Sequence, residues 1–285
     1  MDRDINPIER DAPERDQAGQ APELRQPERP TPDRKRELAF AHGSTYQISD
    51  AERQTLRDIG RFRTVAVENI LHARYNGSTS QISEDLRSLL AQGLVQRRIA
   101  WIGGKQGKLP VLVLTKSGKQ LLEQDQQSLS GQTVYAGFVK PSEVAHDAAI
   151  YRMYQAEAAL IERRGGTIRR VVLDYELKQK VYSPLAKARH LPAAEYAKKQ
   201  GEVAQENGLK VIKGKIPLPD LRIEFETRDG EMTRVDLELT TGHYHGRALQ
   251  AKAEAGFKMY AADGSASRLS RVLEEREITA DILSL

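Results

Sequence analysis

The sequence predicts an α/β protein in which a helical first half and a sheet-containing second half follow a disordered tail. Apolar residues recur at helical spacing over 80–92, which indicates an amphipathic helix. Apolar and charged residues alternate over 219–225 and 235–239, which indicates two strands with one buried face each. Residues 1–36 are rich in Pro and Gln and almost devoid of large apolar side chains, so they lack the surface to form a core. The expected divisions are a tail at 1–45, a first domain at 46–125, a linker at 126–142 and a second domain at 143–285.

The composition narrows the classes of function. The chain has 285 residues, 39% of them hydrophobic, which is enough for a sizeable core. It contains no cysteine, which excludes disulfides, thiolate metal sites and cysteine nucleophiles. No apolar run approaches the roughly 20 residues that span a bilayer, and the charged N-terminus lacks a signal core, so we expect a cytoplasmic protein without membrane contact. Residues 163–215 carry 13 Lys or Arg against 5 Asp or Glu, which suits a polyanionic partner.

Three helices are expected at the start of the first domain. Ser49 and Glu52 have the spacing of a capping box, which predicts a helix that reaches about Phe62. A short second helix is expected over 64–73. The third, over 80–92, carries one apolar stripe, made of Ile82, Leu86, Leu89 and Leu90.

A hairpin and a closing helix complete this domain. Strands are expected over 95–101 and 109–114, joined by a Gly- and Lys-rich tip at 103–108. Thr115 is placed to cap a helix over 116–124. The whole pattern resembles the winged helix-turn-helix domain.

The winged-helix resemblance implies duplex DNA as a partner, with the third helix in the major groove. Gln81 and Arg87 on that helix would contact base edges. Arg98, Lys105 and Lys108 in the hairpin would hold phosphates without reading sequence. The alternative is a winged helix that contacts another protein.

The second domain is expected to contain an acidic hairpin, after a helix over 146–164, a strand over 167–173 and a charged helix over 192–206. The loop Arg228-Asp229-Gly230 has three residues with Gly at the left-handed position. This loop length places Arg222 opposite Asp236, an expected ion pair, and Asp220 opposite Glu238. Two facing carboxylates repel each other, and a divalent cation, most simply Mg²⁺, would relieve that repulsion.

Pro219-Asp220 at the start of one strand and Glu238 on the next resemble the PD-(D/E)xK nuclease-like fold. The resemblance implies that Asp220 and Glu238 hold Mg²⁺ and that a Lys two positions after the Glu assists the attacking water. Position 240 is Thr, so the usual lysine is missing. Lys252 and Lys258, both expected on a helix over 247–261, are the possible substitutes.

The same fold also carries a carboxylate on its first helix, and Glu157 and Glu162 both qualify. His243 and His245 follow the Glu238 strand directly and are weaker candidates for metal ligands.

His146 and Asp147 at a helix start, followed by Asp220 and Glu238, resemble the replication-relaxation proteins of plasmids and integrative conjugative elements. The resemblance spans roughly 46–262. It implies a DNA-binding accessory role in plasmid replication or conjugative mobilisation, with replication or relaxase proteins as further partners.

Three functions stay open at this point. One is a regulatory or accessory factor whose nuclease-like domain is degenerate, which Thr240 favours. Another is an active Mg²⁺-dependent DNA endonuclease with Asp220, Glu238 and Lys252 as its catalytic residues. The third is a protein-interaction adaptor.

Overall fold

The chain is a mixed α/β protein. A computed structural model describes residues 35–102, 107–125, 131–138, 140, 143–240, 246–261, 267, 270–271 and 282–284. The helices are α1 (Asp50–Arg61), α2 (Val67–Tyr75), α3 (Thr79–Ala91), α4 (Lys116–Gln124), α5 (Val144–Arg163), α6 (Asp174–Lys187), α7 (Ala193–Glu206) and α8 (Gly246–Ala255). The strands are β1 (Glu37–Ala41), β2 (Ser44–Ile48), β3 (Val65–Ala66), β4 (Val95–Ile102), β5 (Gly107–Leu114), β6 (Thr167–Leu173), β7 (Leu221–Glu226), β8 (Met232–Thr240), β9 (Lys258–Ala261) and β10 (Ile282–Ser284).

The elements predicted between residues 49 and 124 are present. The capping box is complete, because Ser49 Oγ accepts from the Glu52 amide and Glu52 accepts from the Ser49 amide. Helix α3 buries Ile82 and Leu89 as expected, whereas Leu90 is 37% exposed. Strands β3, β5 and β4 form one sheet in that order. The predicted hairpin tip at 103–106 and the linker residues 126–130 lie outside the described residues.

The predicted tail boundary at residue 45 is wrong, because β1 and β2 pair as an antiparallel hairpin. Two apolar residues anchor this hairpin, since Ala41 and Ile48 are buried in the main core. Just before the hairpin, Arg36 forms an ion pair with the buried Glu52. Residues 1–34, for which disorder was predicted, lie outside the part of the chain that the structure describes.

The second half is built on a sheet with the order β10-β9-β8-β7-β6. Strands β6, β7 and β8 are antiparallel neighbours, and β8, β9 and β10 run parallel. The β7–β8 register is the one predicted from the loop, with Arg222 opposite Asp236. Gly230 has φ +83°, and the Thr227 amide donates to Glu231 at 2.8 Å to close the loop.

Each face of this sheet is covered by helices. Leu221, Ile223, Leu237 and Leu239 point into the core that includes α5. Val172 points to the opposite face, where α6 and α7 pack. Helix α6 was not predicted, and the expected helix over 247–261 ends at Ala255 and is replaced by β9 from Lys258.

One apolar core runs through both halves. The Phe62 ring in the first half lies 5.0 Å from the rings of Tyr151 and Tyr154 on α5. Close by, the fully buried Asp58 accepts from Arg74 Nη2 at 2.7 Å and from the Tyr151 hydroxyl at 2.8 Å. These contacts tie α1 and α2 to α5. None of the helices in the described ranges has the length and apolar content that a membrane crossing requires.

Candidate functional site

Asp220 and Glu238 meet at one end of the β7–β8 pair. The observed register ends with Leu221 opposite Leu237, and one further step places Asp220 opposite Glu238. The Leu239 amide donates to Asp220 Oδ2 at 2.9 Å, which fixes the Asp220 side chain on β8. Both carboxylates line the same cavity, so the predicted pairing brings them to one site.

Lys252 joins this pair from α8. Its Nζ lies 2.7 and 2.8 Å from the two carboxylate oxygens of Glu238 and donates to Leu218 O at 2.6 Å. Glu238 is only 1% exposed, and a carboxylate so far from water needs a partner cation. Thr240, at the position of the missing lysine, is buried and donates its hydroxyl to Tyr260 O at 3.0 Å. An amine from α8 thus lies against Glu238, whereas position 240 carries a hydroxyl.

Lys258 lies elsewhere, contrary to its predicted place on the helix. It belongs to β9, where it pairs with Leu237 and so shares the sheet face opposite to that of Glu238. Its Nζ is 2.6 Å from Glu157, which also accepts from the Tyr260 hydroxyl at 2.5 Å. Glu157 thus belongs to a separate buried network. Glu162 is exposed near the end of α5, so neither first-helix carboxylate joins the site.

His146 approaches the site from the start of α5. Its Nε2 lies 3.5 Å from Asp220 Oδ1, and this contact raises the pKa of the imidazole above its ordinary value. The neighbouring Asp147 is held near Arg63, at 3.8 Å. Burial raises the pKa of Asp147 to about 6. His146 therefore reaches Asp220, whereas the ion-pair partner of Asp147 is Arg63.

The carboxylates open onto a cavity of about 910 Å³ between α6, α7, α8 and the segment that leads into β7. Three carboxylates line it: Asp174, Asp220 and Glu238. Six cationic side chains line it as well: Lys178, Arg189, Lys213, Lys215, Arg247 and Lys252. The cavity therefore attracts anions, while its floor holds the oxygen ligands that a divalent cation prefers. Four of these cations lie in the basic run 163–215 that the sequence matched to a polyanionic partner, whereas Arg247 was not noted there.

The carboxylates of Asp220 and Glu238 are too few to enclose a cation by themselves, but they suit Mg²⁺. No three His, Asp or Glu side chains cluster as a ready-made cation site within the described residues. Mg²⁺, however, is commonly held by one or two carboxylates together with water and substrate phosphates. Asp220 and Glu238 meet that smaller requirement. His243 and His245 lie outside the described residues.

Three of the five predicted DNA-contacting residues are exposed on α3 and the β4–β5 hairpin: Arg87, Arg98 and Lys108. Arg87 on α3 is exposed and Gln81 is half-buried. Arg98 is exposed on β4, where it donates to Gln96 at 3.2 Å. Lys108 Nζ stacks 5.0 Å from the centre of the Trp101 ring, and Lys105 lies outside the described residues.

Trp101 is 75% exposed and was not singled out from the sequence as a functional residue. The sequence does contain a hint of its importance, because Trp101 is the single Trp of the chain and precedes a basic loop. Comparison of the chain with family models, curated proteins and solved structures gives no match. Its function is therefore inferred from its own residues and contacts.

Proposed function

We propose that this protein binds duplex DNA and carries a nuclease-like Mg²⁺ site in its second half. In this proposal residues 46–125 act as a winged helix-turn-helix, and residues 143–285 form a PD-(D/E)xK-like domain. The observation that carries it is the convergence of Asp220, Glu238 and Lys252 on the floor of a cation-lined cavity. Phosphodiester backbones are polyanions, so the cationic lining suits them, and a Mg²⁺ ion held by the two carboxylates would face a phosphate.

The first half supports the DNA-binding part of the proposal through the exposure of its cationic side chains. Arg87 stands on the outer face of α3, opposite the buried stripe that contains Leu89. Arg98 and Lys108 extend along the hairpin. A helix in the major groove with a basic hairpin over the backbone would use both sets at once.

The second half supports the cation-binding part through its paired acids. Asp220 and Glu238 would hold the ion; when bound, Mg²⁺ polarises a phosphate and lowers the pKa of a coordinated water. Lys252 orients Glu238 through both of its oxygens. His146 and the Leu239 amide hold the two oxygens of Asp220. The ligands are thus preorganised by their neighbours, as functional carboxylates usually are.

The biological setting is an accessory role in replication or conjugative mobilisation of a mobile element, with replication or relaxase proteins as partners. This setting rests on the resemblance carried by His146, Asp147, Asp220 and Glu238 to replication-relaxation proteins. The contact between His146 and Asp220 supports it, because these motif residues share one site.

A second candidate function, a Mg²⁺-dependent endonuclease, is favoured by Lys252. In the sequence, the nuclease-like motif lacks its lysine, because Thr240 occupies that position. An amine from α8 nevertheless reaches Glu238 at 2.7 Å. That placement supplies a cation beside the acids where an attacking water would need assistance.

Duplex affinity of the full chain tests the first part of the proposal. We expect Lys108→Ala to weaken binding to every duplex and to lower the salt slope by about one, because one phosphate contact is lost. Arg87→Ala should reduce sequence preference by about 1–3 kcal/mol, the worth of one base contact. Arg228→Ala is a matched control, since Arg228 is exposed on the β7–β8 loop. No duplex affinity at low salt would sink the proposal and favour the adaptor.

Cleavage of supercoiled and branched DNA separates the two candidates. An endonuclease should nick DNA with Mg²⁺ and lose that activity in both Glu238→Gln and Lys252→Met. Glu231→Gln, an exposed change on the same hairpin, should leave nicking intact. Duplex binding without any nicking would instead assign the accessory role.

A further inference from the structure

The cation-lined cavity also contains aromatic side chains that the cation site does not use. Tyr182 on α6 and Tyr196 on α7 both line it, together with Asp220 and Glu238. Tyr182 is 53% exposed despite its size, so its ring is presented to the cavity opening. Tyrosine rings beside cationic side chains are the usual surface for unpaired bases, because every base has a face that stacks.

Several cations of the cavity are available to an anion. Lys178 is paired with Asp174 at 2.5 Å and Lys252 with Glu238. By contrast, Arg189, Lys215 and Arg247 form no ion pair within the described part of the chain. These three cations line the same cavity as the two tyrosines. Phosphates could therefore bind the cations while bases stack on the neighbouring rings.

The cavity is a walled cleft that opens to solvent, neither a closed chamber nor a flat surface. The turn at 212–215 closes one wall through an Ile212–Lys215 bridge, and Gln200 on α7 donates to Gly214 O at 3.0 Å to hold it there. Its volume of about 910 Å³ is near the top of the roughly 300–1,000 Å³ range of pockets that enclose small ligands. A space of this kind admits a few unstacked nucleotides, whereas a duplex would have to lie across its mouth.

We propose that this cavity binds an unpaired DNA strand that extends from a duplex. The bases would stack on Tyr182 and Tyr196, and the backbone would lie against Arg189, Lys215 and Arg247. The proposal rests on the proposed function and names the substrate of the same site as a duplex with a single-stranded extension. Such a strand would pass directly over Asp220 and Glu238.

Binding of the full chain to three matched DNAs tests this proposal. The probes are a blunt duplex, the same duplex with an unpaired extension of about eight nucleotides, which is within known single-strand site sizes, and the extension alone. We expect the extended duplex to bind at least tenfold more tightly than the blunt one. In Tyr182→Ala with Tyr196→Ala the advantage should fall by about tenfold or more, whereas Tyr182→Phe should keep it because the stacking face remains.

Tyr175→Ala is the control, because Tyr175 on α6 is about as exposed as Tyr182, 59% against 53%, but does not line the cavity. Thermal unfolding of each variant checks that the fold is intact. Equal affinity for blunt and extended duplexes would overturn the proposal and leave duplex binding standing. An advantage that survives the double Tyr variant, or that is larger for an RNA extension, would overturn it as well. Loss of blunt-duplex binding would bear on the proposed function instead.

Discussion

Asp220 is held more firmly than a solvent-facing acid at the edge of a sheet would be. One oxygen accepts from the Leu239 amide and the other faces His146, while the charge of Glu238 is offset by Lys252. The repulsion expected between two facing carboxylates is therefore reduced before any cation binds. A cation that enters must compete with these partners, which favours modest rather than tight affinity.

We predict that Mg²⁺ raises the thermal stability of the protein and that Asp220→Asn abolishes the gain. At about 100 times its dissociation constant, a ligand that binds only the folded state adds about 2.7 kcal/mol. The metal-free variant should unfold close to the parent, since Asn keeps an acceptor for the Leu239 amide. Differential scanning fluorimetry across a Mg²⁺ series measures this, with Glu231→Gln as control. An equal Mg²⁺ response in parent and Asp220→Asn would remove Asp220 from the site.

Asp147 gives a prediction about pH. Burial raises its pKa from about 3.8 to about 6, so the folded state holds a proton that the unfolded state has released between these values. Its favourable contribution is complete below about pH 4 and is lost as the pH rises through 6. Asp147→Asn should therefore be more stable than the parent at pH 7.5, by up to about 3 kcal/mol from the size of the shift.

Urea unfolding at pH 4 and at pH 7.5 measures the Asp147 effect. The advantage of Asp147→Asn should shrink towards zero at the lower pH. Asp229→Asn on the exposed hairpin loop is the control and should show no such trend. An Asp147→Asn variant that is less stable at pH 7.5 would mean that its contact with Arg63 outweighs the cost of burial.

At the scale of elements, the sequence correctly predicted the features that depend on a few neighbouring residues, such as loop registers and helix caps. The β7–β8 register followed from a three-residue loop and its Gly230, and the capping box located the start of α1. Helix α6 was missed because Pro184 lies inside it, although Leu177 and Val181 show helical spacing. Proline near the end of a helix removes one hydrogen bond, and the buried stripe outweighs that loss.

The end of α8 was missed for a different reason. Gly256 has φ +89°, and its amide and that of Phe257 donate back to carbonyls of the last helical turn, which is how a glycine ends a helix. The predicted helix over 247–261 continued beyond Gly256, and Lys258 was therefore placed on it. The sequence offered both Lys252 and Lys258 as substitutes for the missing lysine. That Lys252 is the one beside Glu238 depends on where α8 packs against the sheet, which no short-range rule gives.

The hairpin of β1 and β2 yields a truncation prediction. Removal of residues 1–34 should leave the thermal midpoint nearly unchanged, since that composition supplies little apolar surface. Removal of residues 1–36 should lower it, because Glu52 is fully buried and loses its ion pair with Arg36. A buried charge left without its partner costs up to about 3–5 kcal/mol, less here because Glu52 also accepts from the Ser49 amide.

The two truncated chains can be compared by scanning calorimetry. The two chains differ only in Lys35 and Arg36, so a difference in their thermal midpoints is due to these two residues. Arg36→Ala in the full chain should reproduce the effect of the longer deletion. A large loss already in the shorter deletion would show that residues before 35 contribute to the fold.

At the scale of the whole molecule, one shared core joins the two halves that the sequence patterns distinguish. Phe62, Tyr151 and Tyr154 pack together across the two halves, and the buried Asp58 accepts from both Arg74 and Tyr151. A fragment of 46–125 alone would expose Phe62 and leave Asp58 without its Tyr151 partner. DNA binding is therefore best measured on the full chain, as in the experiments above.

This coupling predicts that damage to the second half destabilises the first. Leu237 is fully buried on β8, and Leu237→Ala should cost about 2–5 kcal/mol. If unfolding is cooperative, amides of β5 that exchange only by global opening lose protection by the same amount as those of β8. Hydrogen exchange followed by mass spectrometry can compare the peptide over Val111–Leu114, fully buried in the first half, with a peptide over β8. Glu231→Gln should change neither, and unchanged protection of Val111–Leu114 in Leu237→Ala would show two independently unfolding domains.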